Sequence, residues 1–177
     1  TLSLSASSDH HESAPMTTDG AFTTLMIAAS DINKYTETLR ENPSAFQATG
    51  TTGAGVCVTN SGNDYPGQMM VWSAFPDVAA ALTGGTKYDP QSAPRSFERL
   101  REIKYGVTWK PLTPFRLEPG YERVQRIKVS AENLQAFSEG LNKLESSIKS
   151  AGHHNFYNGA FVQIGGGTHE VETLMVR

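Results

Sequence analysis

The sequence predicts an α+β protein in which helices cover antiparallel strands, and three observations predict it. Apolar runs of strand length recur between clusters of Gly, Pro, Asn, Asp and Ser. Two amphipathic helix patterns are each followed by a pair of such runs. The two patterns also overlay. Ile32, Tyr35, Leu39, Phe46 and Gly50 match Leu134, Phe137, Leu141, Ile148 and Gly152 at a constant offset of 102 (134 − 32 and 152 − 50).

The elements follow in order. Residues 22–29 form an apolar run without clean alternation, the pattern of a strand buried on both faces. Ser30 and Asp31 supply a helix start, Ile32, Tyr35, Leu39 and Phe46 share one face, and Asn42-Pro43 breaks or bends the helix. Gly50 and Gly53 lead into a strand at 55–60, a turn rich in Gly, Asn and Pro follows, and 68–75 is a second doubly apolar strand. A short helix is expected at 77–82, a loop at 84–90, and a helix at 95–104 with Phe97, Leu100 and Ile103 as its apolar stripe. Pro111 and Pro114 suit an irregular edge strand over 107–117. Pro119-Gly120 then turns the chain into a strand at 121–129. A long helix carries Leu134, Phe137, Leu141, Leu144 and Ile148, capped by Ser130 and ended by Gly152 in a left-handed conformation. Strands at 156–164 and 172–176 flank a three-glycine turn.

Composition narrows the function classes. A net charge of −3 over 177 residues, with no basic run, provides no field for nucleic acid. No apolar stretch reaches the ~20 residues that span a bilayer, so membrane embedding is not expected. Cys57 is the lone cysteine, which leaves no internal disulfide and no cysteine-cluster metal site. Residues 1–20 read as a polar mobile tail, in which His10, His11 and Glu12 are tail residues and not a metal site. The opening Ser-rich residues suit the remnant of a signal-peptide cleavage site, whereas Met16 suits a start, so an exported and a cytoplasmic location both stay open.

Strand, helix, strand, strand, helix, strand is the ferredoxin-like unit. The chain accordingly divides into a first unit at 21–118 and a second at 119–177. Two tandem ferredoxin-like units with their antiparallel sheets packed as an alpha-beta barrel is the predicted architecture. This organisation resembles the dimeric alpha-beta barrel superfamily, here as a tandem duplication, over residues 22–177. The resemblance rests on element order and periodicity. The second unit is expected to lack its last helix and strand, since the sequence given stops at Arg177. Either the natural chain continues or another segment, from the tail or a second molecule, covers the edge beside 121–129; pairing with a second molecule is the expectation, which predicts a homo-oligomer.

Each candidate functional residue has a plainer structural role beside the chemical one. The glycines at 50–55 follow a helix and precede a strand, the reverse of a phosphate-binding loop. His153 and His154 lie about 30 Å from His169 across a hairpin at ~3.3 Å per residue, so the three cannot share a metal. His154 alone can act as an axial ligand or proton donor. Trp72 shares a strand face with Met70 and Ala74, next to Cys57, and is either a core aromatic or a ligand platform. Asn158 lies among apolar neighbours, with Tyr157 on the opposite strand face. Arg126, Lys128, Tyr157 and Glu172 either line a pocket with a charged end, suited to an acidic or amphiphilic small molecule, or face solvent.

The resemblance implies a small apolar or aromatic ligand in a cavity between sheet and helices. Small monooxygenases of the superfamily, haem-degrading ones among them, use an Asn, a Trp and a His around such a cavity. Asn60, Trp72 and His154 are residues of those types here, with no spacing that ties them together. The ligand-binding set is thus Trp72, Asn158, Tyr157, His154 and Arg126. A monooxygenase or haem-handling enzyme is the second reading and a structural or assembly module the third. No cofactor is specified by the sequence.

Overall fold

The computed structural model describes residues 18–115, 120–167 and 173–176. The chain runs β1 (Ala21–Ala29), α1 (Ile32–Glu41), α2 (Ser44–Thr49), β2 (Gly53–Val58), β3 (Gln68–Phe75), α3 (Val78–Lys87), α4 (Arg95–Glu98), β4 (Arg101–Pro111), β5 (Gln125–Lys128), α5 (Leu134–Ser150), β6 (Ala160–Gly166) and β7 (Thr173–Val176). The described strands form one sheet of seven in the order β2-β3-β1-β4-β6-β7-β5, with every neighbouring pair antiparallel.

The strands around α1 lie β2-β3-β1, and those around α5 lie β6-β7-β5. The expected pair of facing sheets is replaced by a continuous one, because β6 pairs along the free side of β4. A bare strand edge carries unpaired N–H and C=O groups, and annexing it satisfies both partners.

Helix ends follow the local chemistry. Asp31 Oδ1 accepts from the Lys34 N–H at 2.9 Å and Asp77 Oδ1 from the Ala80 N–H at 2.7 Å, each capping a first turn. Asn42-Pro43 separates α1 from α2, as proline chemistry requires. Gly67 (φ +70°) closes the turn into β3, where an added Cβ would lie 2.1 Å from the Ala29 carbonyl oxygen.

The side of the sheet under α1 and α2 is filled. Ile27, Tyr35 and Met69 are fully buried there, packed with Leu25, Ile32, Leu39, Phe46 and Val71. Burial of a side chain such as Ile27 or Met69 contributes about 1.5–3 kcal/mol. α3 closes one end through Ala81 against Ala21 and Phe75. The opposite side carries a second cluster of Phe22, Val107, Trp109 and Phe161. β1 is therefore buried on both faces, as its unalternating sequence predicts.

Several expectations are corrected. The helix expected at 95–104 ends after one turn, and β4 begins at Arg101. β4 is not an irregular edge strand: it is the longest strand and lies between β1 and β6, with Pro111 tolerated as its last residue. The helix expected to stop at residue 82 continues through Gly84 and Gly85. At Gly84 a Cβ would meet Phe75 Cε1 at 2.7 Å and the Thr49 carbonyl oxygen at 2.9 Å, so glycine lets α3 approach the sheet. The strand expected from residue 156 begins at Ala160, and the one expected over 121–129 is limited to β5. Ser130 does not cap α5 directly; it precedes a 3₁₀ turn at Ala131–Asn133. Gly152 is left-handed as expected, at φ +100°. His10, His11, Glu12, His169 and Glu172 lie outside the described residues.

The sheet curls toward its bare face. Glu122, on the approach to the edge strand β5, places Oε2 3.9 Å from Sγ of Cys57 on the opposite edge strand β2. The Arg126 guanidinium, on β5, lies 5.0 Å from the Tyr105 ring centroid on β4. Strand twist of about 20–25° per neighbour, accumulated across the sheet, brings its two edges together in this way.

Candidate functional site

Register fixes which side chains share the face that the helices leave bare. Successive residues alternate across a strand, so Phe22, Thr24 and Met26 of β1 point away from α1. Pairing extends each of them into a row. Trp109, Phe22, Ala74 and Gly53 form one, Val107, Thr24, Trp72 and Gly55 the next, and Tyr105, Met26, Met70 and Cys57 the third.

The first row is a closed aromatic end. Phe22 meets Phe161 edge-on at 4.8 Å between centroids, and Phe161 meets Phe115 at 4.6 Å. The second row carries the polar anchor, because Trp109 Nε1 donates to Thr24 Oγ1 at 2.8 Å. It also carries Trp72, half-buried over Gly55. A Cβ on residue 55 would lie 2.6 Å from Trp72 Cζ2, so the ring rests directly on the glycine backbone. The side chains of Glu122 and Arg126 reach the two ends of the third row, Glu122 at Cys57 and Arg126 at Tyr105.

Charge gathers at the Tyr105 end of this row. Lys104, unpaired at the β-bulge between Met26 and Ile27, holds Nζ 5.1 Å from the Tyr65 ring centroid and 2.7 Å from Glu102 Oε1. Tyr65 Oη is buried and has no hydrogen-bond partner. Burial pushes the Tyr65 phenol above its ordinary value, opposed by the positive charges of Lys104 and Arg126.

The five sequence-selected residues fall into two groups. Trp72 and Arg126 belong to the bare face, one on β3 and the other reaching in from β5. Asn158, Tyr157 and His154 lie on the connection from α5 to β6, beyond the Pro111 end of β4. Tyr105 and Pro111 are themselves about 20 Å apart along that strand. His154 is exposed. Tyr157 is 37% exposed, and Lys149 Nζ sits 4.2 Å from its ring centroid. The Asn158 backbone N–H donates to Glu145 Oε2 at 2.8 Å, its carbonyl accepts from Thr113 Oγ1 at 3.4 Å, and its side-chain Nδ2 is buried without a partner. Asn60, Trp72 and His154 are not gathered around one cavity, because Asn60 follows β2 at the opposite end of the strands from the α5–β6 connection.

No family model matches the chain, and neither does the sequence of any curated protein. Among solved structures, one described as "Crystal structure study of anthrone oxidase-like protein" aligns over 88% of this chain and 71% of that one, with a TM-score of 0.48 and 12% identity. A likeness at that level carries no argument about function, and the site stands on its own geometry.

Sequence reading missed Thr24, Met26, Tyr65, Tyr105 and Trp109. The alternation of Phe22, Thr24 and Met26 was a usable signal, hidden by the apolar residues between them. Tyr105 fell between the helix expected at 95–104 and the strand expected at 107–117, and Trp109 was obscured by placing that strand at an edge. A separate open groove of about 760 Å³ lies where β1 meets α1, lined by Ser30, Asp31, Glu98 and Arg99 among others. It includes none of the five selected residues. Among the described residues no group of three His, Cys, Asp or Glu side chains is placed to hold a metal, and no helix is long and apolar enough to cross a membrane.

Proposed function

We propose that the chain is a small-ligand-binding protein of the dimeric alpha-beta barrel type, with tandem β-α-β-β units curling one sheet around a flat aromatic or apolar molecule. Trp72 is the observation that carries this reading. A half-buried indole lying on a glycine, on a sheet face opposite the helices and beside Met70 and Thr24, offers a flat apolar platform. The space between sheet and helices is filled by Ile27, Tyr35 and Met69, so the ligand belongs on the opposite face from the one the resemblance implies. The curl that brings Glu122 to Cys57 and Arg126 to Tyr105 gives that face its cover.

The test is a titration with fused-ring aromatic probes, followed by quenching of tryptophan emission and by calorimetry. Saturable binding is expected in the wild type, weakened about tenfold or more in Trp72→Ala and largely kept in Trp72→Phe. Equal binding by all three proteins would remove Trp72 from the site and the reading with it. The same reading places a second copy along the edge of β5 that no other described strand pairs with, which sedimentation velocity would detect as a dimer.

A further inference from the structure

We infer that the ligand is an anionic aromatic molecule, a fused-ring carboxylate or phenolate, whose negative group is received by Arg126, Lys104 and the hydroxyl of Tyr65. This rests on the ligand-binding reading above and adds the chemical class. A buried phenol hydroxyl without an acceptor costs about 1–3 kcal/mol, and Tyr65 Oη is such a group. An incoming oxyanion supplies the missing acceptor. Two cations stand beside it, Lys104 with Nζ 5.1 Å from the Tyr65 ring centroid and Arg126 close enough to bear on its ionisation, and they act against the weaker opposing charges of Asp64 and Glu102.

The cations differ in commitment. Lys104 pairs with Glu102 at 2.7 Å. Arg126 is in neither of the ion pairs found among the described residues and sets its charge against the Tyr105 ring. An arginine stacked on an aromatic keeps its N–H edge directed outward for a bidentate anion.

Placement fits the size of the ligand. Trp72 is two residues along β3 from Met70, and β3 is separated from β4 by β1 alone. Trp72 and Tyr105 are therefore about 12 Å apart across the face. A single-ring acid is too short to lie on Trp72 and reach Arg126, whereas a fused-ring acid spans the two.

The experiment compares 2-naphthoate with its uncharged isostere 2-naphthamide, measured by calorimetry on the wild type and on Arg126→Met and Tyr65→Phe. Arg126 is exposed, so its truncation is expected to leave the circular dichroism spectrum unchanged, and Tyr65→Phe keeps the ring. Naphthoate is expected to bind at least about tenfold more tightly than naphthamide, as charge-assisted hydrogen bonds predict. Arg126→Met should bring the two within about twofold of each other without weakening naphthamide. Tyr65→Phe should weaken naphthoate severalfold. Equal affinity of the two probes for the wild type, or a preference that survives both substitutions, would overturn the anionic class while leaving the aromatic face in place. Failure of both probes to bind the folded protein would overturn the face and the class together.

Discussion

The indole N–H of Trp109 on β4 donates to the hydroxyl of Thr24 on β1 at 2.8 Å, and both side chains are buried. Thr24 is thus held in the sheet by a bond that crosses 85 positions of sequence. Thr24→Val keeps the shape and removes the acceptor. The stranded N–H predicts a loss of about 1–3 kcal/mol in urea unfolding. A loss below about 0.3 kcal/mol would mean that the bond does not form.

Gly55→Ala puts a methyl group 2.6 Å from the Trp72 ring. The indole has to leave its seat, at an expected cost of about 1–3 kcal/mol. Its emission should shift to the red as the ring meets water. Unchanged stability and emission would show that the ring does not lie on Gly55.

Burial raises the Tyr35 phenol above its ordinary 10.0, opposed by Arg101, whose Nη1 donates to Tyr35 Oη at 2.7 Å. The sign follows from the direction of the shift. Below pH 10 the phenol is neutral in both folded and unfolded chains, and the stability is fully present. Above pH 10 the unfolded chain ionises first, and stability falls until the raised folded value is passed. Tyr35→Phe is expected to flatten this part of the alkaline decline in urea midpoints measured from pH 8 to 11. An identical slope in both proteins would assign the decline to other groups.

Glu145 accepts from Lys149 Nζ within α5 at 2.6 Å and from the Asn158 N–H on the chain entering β6 at 2.8 Å. The second bond ties helix to strand. Glu145→Ala is expected to cost about 1.5–3 kcal/mol, because a backbone donor loses a charged acceptor. Lys149→Ala should cost less than about 1 kcal/mol, as for a solvent-accessible pair in a helix. The reverse order in thermal or urea unfolding would sink the argument.

Much of the α+β plan was legible locally. The Asp31 cap, the Asn42-Pro43 break, the bounds of β3 and the apolar stripe of α5 each follow from chemistry confined to a few neighbouring residues. Windows of the same size misread 101–104 as helix and took the strand at 107–111 for an edge. A thin stripe at Phe97, Leu100 and Ile103 imitates a helix, while the pairing that makes residues 101–111 a strand comes from β1, some 80 positions away.

The bare-face site was only half legible for the same reason. Trp72 and Arg126 could be chosen by residue type and strand parity. That Trp72 lies on Gly55, that Trp109 bonds Thr24, and that Arg126 reaches Tyr105 are facts of pairing register and sheet curl. The sequence alone determined the capped helices and the strand-like runs, because these depend on backbone preferences and apolar spacing within a turn or two. Only the tertiary structure decided that β6 extends the first sheet through β4, and that the two edges approach over a common face. Those outcomes come from competition among distant strand edges and from accumulated twist, and no local window of residues contains either.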